Sequence, residues 1–204
     1  MIINKKNNFW IYIVPSNPFA RTISYMGKKP TKEEYLKHWG KWVIMDSKEY
    51  LDQMAEDLDV AVELGWIPQI KYTQYPSPQL GLNKCVMCVF CDDRLRGEVL
   101  QLLSVAEIMP DGWEYERDMI KEWKPGGKFL EKFIKSKNLS GQEAATYRDE
   151  IPKQMDNYIE YIVGDGDKAV NLRRHAIANS SLIATAEDMH LLSEDSQDNW
   201  QANK

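Results

Sequence analysis

The chain has 204 residues, of which 43% are hydrophobic and 28% charged, enough for one domain of ordinary size with an extension. A net charge of −5 disfavours electrostatic capture of duplex DNA. No apolar run approaches the roughly 18 residues of a membrane span, and the opening MIINKKNN lacks an apolar signal core, so a cytoplasmic protein without membrane association is expected.

In chain order, residues 9–14 (FWIYIV) read as a short buried strand, followed by a proline-rich loop through Pro30. Thr31 and Glu34 have the spacing of a capping box and predict a short helix to about His38. Residues 40–45 read as a second strand. From Ser47, apolar residues recur at Tyr50, Leu51, Met54, Leu58, Ala61, Val62 and Leu64, a helical period that stops at Gly65. Residues 67–72 are strand-like, and Pro68 places them at an edge or makes it a strand start.

A strand over 85–91 follows, with Asp92 or Asp93 capping a helix whose apolar face is Leu95, Val99, Leu102, Leu103 and Ala106. Pro110, Asp111 and Gly112 form a turn, and residues 113–118 a further strand. Beyond the break at 124–128, residues 129–137 make a basic amphipathic segment. Ser140 to Glu143 has capping-box spacing and opens a helix to about Val163, with a kink at Pro152. The expected layout is an α+β domain over 1–137, a helical extension over 138–192 and a disordered tail over 193–204.

All three cysteines lie in one stretch, C-x-x-C-x-x-C, at Cys85, Cys88 and Cys91. A strand sends alternate residues to opposite faces, so Cys85 and Cys91 share one face and Cys88 takes the other. No fourth cysteine exists, and His38, His175 and His190 are distant in sequence. The cluster therefore reads as core, with no metal and no cofactor expected. No P-loop, G-x-S-x-G elbow or H-E-x-x-H occurs. The run from Gly164 to Asp167 lacks the later glutamate of a calcium loop and reads as a turn. Arg173, Arg174 and His175 read as a solvated helix face.

The junction His38, Trp39, Gly40, Lys41, Trp42 carries two readings. Trp39 stacks on a planar or cationic ligand while Lys41 holds a phosphate, or both tryptophans anchor the core and Lys41 snorkels. Trp42 and Ile44 share one strand face, Lys41 and Val43 the other. Lys71 alternates with apolar neighbours; it is an exposed sheet-face lysine or, if desolvated, a base. Arg94, Arg96 and Arg117 sit near strand ends or helix starts, where phosphate oxygens also meet backbone N–H groups.

The ordered series GKW, capped helix, LGW-x-x-x-x-K, apolar strand ending CDD, helix, and W-x-Y-x-R-D resembles the basophilic-leukaemia-expressed protein family over about residues 39–118. That family shares the fold of the cap-binding translation initiation factor 4E, and its bacterial members are labelled phosphothreonine lyase domain proteins. The resemblance implies a curved, mostly antiparallel sheet backed by helices. It maps Gly40, Lys41, Trp42, Lys71, Cys91, Asp92, Asp93, Tyr115, Arg117 and Asp118 onto the family's motifs.

Three functions are expected. The first is a domain binding a phosphorylated ligand (nucleotide, RNA end or phosphopeptide) through Trp39, Lys41, Trp42, Arg94, Tyr115 and Arg117. The second is a phosphothreonine-lyase-like enzyme with Lys71 as base, His38 as acid, and Arg94 and Arg117 as phosphate clamp. The third is a module that docks a protein partner on its C-terminal helices.

Overall fold

The structure, a computed structural model, describes residues 9–16 and 23–164. It is α+β. Five strands, β1 (Trp10–Ile13), β2 (Trp39–Asp46), β3 (Gln69–Thr73), β4 (Cys85–Asp92) and β5 (Gly112–Tyr115), form one sheet in the order β1-β3-β4-β2-β5, and every neighbouring pair is antiparallel. The α-helices of the described residues are α1 (Lys32–His38), α2 (Lys48–Glu63), α3 (Arg96–Val105), α4 (Glu116–Glu122), α5 (Lys128–Ser136) and α6 (Gly141–Val163). None is long and apolar enough to cross a membrane.

Local chemistry starts the first two helices. The capping box at α1 forms in full: Thr31 Oγ1 accepts from Glu34 N–H at 3.2 Å, and Glu34 Oε2 accepts from Thr31 N–H at 2.8 Å. Ser47 caps α2 through Tyr50 N–H, and the predicted stripe from Leu51 to Val62 is buried.

The eight residues of β4 are all buried, so this strand divides the core. Cys85, Met87, Val89 and Cys91 pack with Leu51, Leu58, Val99 and Leu103 of α2 and α3. Val86, Cys88 and Phe90 pack on the opposite face with Tyr35, Trp39, Ile120, Ile159 and Val163. The cysteines are therefore split between two faces as the strand period requires, and each thiol is buried and free. Burial pushes all three thiol pKa values up, that of Cys91 to about 12. A third cluster joins α5 and α6 through Leu130, Phe133, Ile134, Ala144, Ile151 and Met155, across the boundary expected at 137.

Two local expectations need correction. The strand expected over 113–118 ends at Tyr115, and Glu116 begins α4. The physical reason is that Glu116 turns inward onto Lys41, while two acids in the first turn favour a helix start. Of the two placements open for Pro68, the strand start holds: it precedes the first residue of β3, which lies between β1 and β4. Ser140 is extended but makes no side-chain cap, because Gly141 takes a left-handed φ of +53° where the first helical residue would stand. Predicted features at residues 1–8, 17–22 and 165–204, including Arg173, Arg174, His175 and the tail, lie outside the described residues.

Candidate functional site

The predicted residues separate into a buried group and a rim. In the buried group, Lys41 and Lys71 are each 2% exposed, on the sheet face that carries Cys88. Lys41 Nζ donates to Glu116 Oε1 at 2.6 Å and faces the Phe90 ring at 5.6 Å. Burial opposes its charge, but the Glu116 carboxylate outweighs burial and holds the Lys41 pKa above its ordinary value. Lys71 Nζ lies 4.5 Å from the Trp10 ring centre and 5.3 Å from that of Phe90. Trp39, 4% exposed, stacks on Tyr35 with ring centres 6.0 Å apart. Trp42 is half-buried against the opposite core, so the two tryptophans do not form a pair.

The rim is built where β4 ends and β2 begins, because Trp39 pairs with Asp92. Asp92 caps a 3-10 turn over Asp93–Leu95, accepting from Arg94 N–H at 3.0 Å. The same carboxylate accepts from Arg94 Nε at 2.7 Å and Nη2 at 2.6 Å. Burial would raise the Asp92 pKa, yet these three hydrogen bonds hold it below its ordinary value of 3.8. Its neighbour Asp93 meets the last residue of α1: His38 Nδ1 donates to Asp93 Oδ1 at 2.8 Å. From the end of β5, Tyr115 Oη donates to Asp93 Oδ2 at 3.1 Å.

A carboxylate on Nδ1 makes that nitrogen the donor and leaves the Nε2 lone pair as the outward function of neutral imidazole. Nε2 bonds to no described residue, and the side chains of His38 and Asp93 are 20% and 21% exposed. Two guanidinium groups adjoin this pair. The Arg94 guanidinium carbon is 3.6 Å from the Tyr25 ring centre, and that of Arg117 is 3.9 Å from the Tyr115 ring centre. Arg117 Nη1 donates to the carbonyls of Leu36 and Lys37 at the end of α1. Trp42, Trp113 and Tyr115 form an edge-to-face ladder with centres 5.3 and 5.7 Å apart, and Arg96 lies 5.6 Å from the Trp113 ring.

The structure thus brings His38, Arg94, Tyr115 and Arg117 together and leaves Lys71 apart. Lys71 pairs across Cys88, four residues up β4 from Asp92, or about 13 Å along the strand. One ligand atom each from His38, Asp92 and Asp93 falls within 4.8 Å of the others, which makes these three the described residues able to hold a metal ion. Arg94 occupies both Asp92 oxygens, so a cation there has to displace a guanidinium. Sequence reading missed Asp93 as a partner of His38 and Tyr115; the doubled acid after an all-apolar strand was the available signal. It also missed Tyr25, for which no pattern exists in the chain. No family model, curated protein or solved structure matches this chain.

Proposed function

We propose that the rim binds a phosphorylated ligand, with Arg94 and Arg117 contacting phosphate oxygens and the half-buried aromatic ladder beside them meeting a planar or apolar group. The observation that carries this reading is a pair of arginines beside the Asp92–Asp93 turn, Arg94 bonded to Asp92 and Arg117 over the tyrosine that bonds Asp93, each against a tyrosine ring and each with N–H groups unspent. Arg94 commits two of its five side-chain N–H groups to Asp92, and Arg117 commits Nη1 to carbonyl oxygens. Guanidinium planes held in place by stacking lose less freedom when an oxyanion arrives.

An initiation-factor-4E-like fold is the finer architectural reading. Its support is an all-antiparallel sheet with α2 and α3 on one face. Clamping of a methylated base between Trp39 and Trp42 is not proposed, since they lie on opposite faces. A lysine-based lyase has weaker support, because Lys71 is buried against Trp10 and Phe90.

The test is a thermal-shift and tryptophan-quenching screen against nucleotides, cap analogues and phosphopeptides, repeated with Arg94→Ala and Arg117→Ala. A ligand at 100 times its dissociation constant adds about 2.7 kcal/mol of stability. Response in the parent chain and its loss in both variants is the expected result. Silence across the whole panel, or a response indifferent to both substitutions, defeats the proposal.

A further inference from the structure

We infer that His38 is the general base of a hydrolytic reaction at this rim, acting on a phosphate ester held by Arg94 and Arg117; this rests on the phosphate-binding reading above. A ligand site needs only the guanidinium groups. The rim holds more: an imidazole whose Nδ1 is fixed by a carboxylate at 2.8 Å, with that carboxylate itself fixed by a tyrosine hydroxyl at 3.1 Å. This is the orienting half of a base–orienter pair. Asp93 selects the tautomer in which Nε2 is a proton acceptor, and Tyr115 stops Asp93 from rotating away. Three separate elements, α1, the turn after β4 and the end of β5, meet to build it.

The imidazole is also placed next to positive charge. Arg117 is bonded to the carbonyl of Lys37, the residue before His38, and Arg94 to the carboxylate of Asp92, the residue before Asp93. On this inference, an ester phosphate held by the two guanidinium groups lies within reach of His38 Nε2. In the step, the oxygen of a water molecule bonds to phosphorus while Nε2 takes one of its protons. The bond from phosphorus to the ester oxygen breaks, and its electron pair stays on that oxygen. The imidazolium passes its proton to solvent, the leaving oxygen takes one from solvent, and one water is consumed per ester. The arginines neutralise charge gathering on the phosphoryl oxygens. His38 is the catalytic residue, and Asp93 is a positioning residue.

The experiment uses the full chain. Binding of inorganic phosphate is read by thermal shift, and turnover of p-nitrophenyl phosphate and bis(p-nitrophenyl) phosphate by nitrophenolate release, which separates mono- from diesters. We expect turnover of one ester to persist in EDTA. His38→Ala should lower kcat by about a hundredfold or more, leave the phosphate shift in place and regain part of its rate with free imidazole. Asp93→Asn should lower kcat with KM little changed. A phosphate shift without turnover of either ester overturns the inference and leaves the binding reading standing; neither shift nor turnover overturns the inference, and the binding reading falls with it when the nucleotide, cap-analogue and phosphopeptide panel is silent too. Turnover abolished by EDTA assigns the chemistry to a cation and also overturns it. So does an unchanged kcat in a His38→Ala protein that retains the phosphate shift.

Discussion

Lys41 Nζ stands 2.6 Å from Glu116 Oε1 with the two side chains 3% and 2% exposed, so a full ion pair is sealed beneath the central sheet. The pair bonds the β2 strand to the first residue of α4, and Met119 Sδ, 3.4 Å from the same ammonium, completes the contact. Two charges out of water are tolerated only as a pair.

Removing one partner is therefore expected to cost far more than removing both. Lys41→Met alone should destabilise by about 3–5 kcal/mol, because Glu116 is left buried without its counter-charge. Lys41→Met with Glu116→Leu should recover most of that loss. Denaturant unfolding of the three proteins checks this, and equal losses in the single and double variants would contradict it.

The same pair sets an alkaline limit. The folded-state pKa of Lys41 lies above its ordinary value of 10.5, so its contribution is fully present below that value. It is lost as pH climbs through the raised pKa. Midpoints measured across the alkaline range should fall more steeply in the parent than in the double variant.

Asp92 works in the opposite sense. Its folded pKa lies below 3.8, so the stability it supplies is present above that value and lost as pH falls through the lowered pKa. Asp92→Asn should cost about 1.5–3 kcal/mol at neutral pH, through its charged hydrogen bonds, and should flatten the acid limb of the stability curve. The same change releases Arg94 from a carboxylate, so phosphate affinity at the rim should rise. Unchanged affinity, measured by thermal shift, would argue that Arg94 is a structural strut and no more.

Gly40 pairs with Tyr115 and lies against Trp113. A Cβ built there would stand 2.4 Å from Trp113 Cζ2 and 2.7 Å from the Glu114 carbonyl oxygen. Gly40→Ala should destabilise by about 1–3 kcal/mol through overpacking and disturb the Trp42–Trp113–Tyr115 ladder. Calorimetry reads the first effect and tryptophan emission the second. Parent-like values in both would show that β5 shifts freely.

The buried thiols give a further check. With pKa values raised and side chains enclosed, Cys85, Cys88 and Cys91 should resist aqueous thiol reagents in the folded chain and react together on unfolding. Rapid labelling of the native protein would place at least one of them outside the core.

Periodicity and caps made most of the elements legible. The Thr31–Glu34 box, the α2 stripe and the division of the cysteines between faces follow from spacing alone. What spacing could not supply was long-range pairing. The strand order β1-β3-β4-β2-β5 brings residues 38, 93 and 115 to one end of the sheet, while the chain between them gives no local sign of it. The end of the 113–118 strand is hidden for the same reason: the decisive partner of Glu116 is Lys41, 75 residues away. Trp39 is legible as a large aromatic that either stacks on a ligand or anchors the core; the core reading holds, and what decides it is distant in sequence, since Ile120, Ile159 and Val163 pack in the same cluster.

Asp92 is the last residue of β4, and β4 is paired along both edges and buried along its whole length. Asp92, and through it the Arg94 guanidinium, is consequently anchored to a strand with little freedom to fluctuate. Most of the ordering cost of the rim is met when the chain folds, leaving little for an incoming ligand to supply. Such preorganisation predicts that ligand occupancy slows amide exchange little within β4 and more in the outer segments that carry Tyr25 and Arg117.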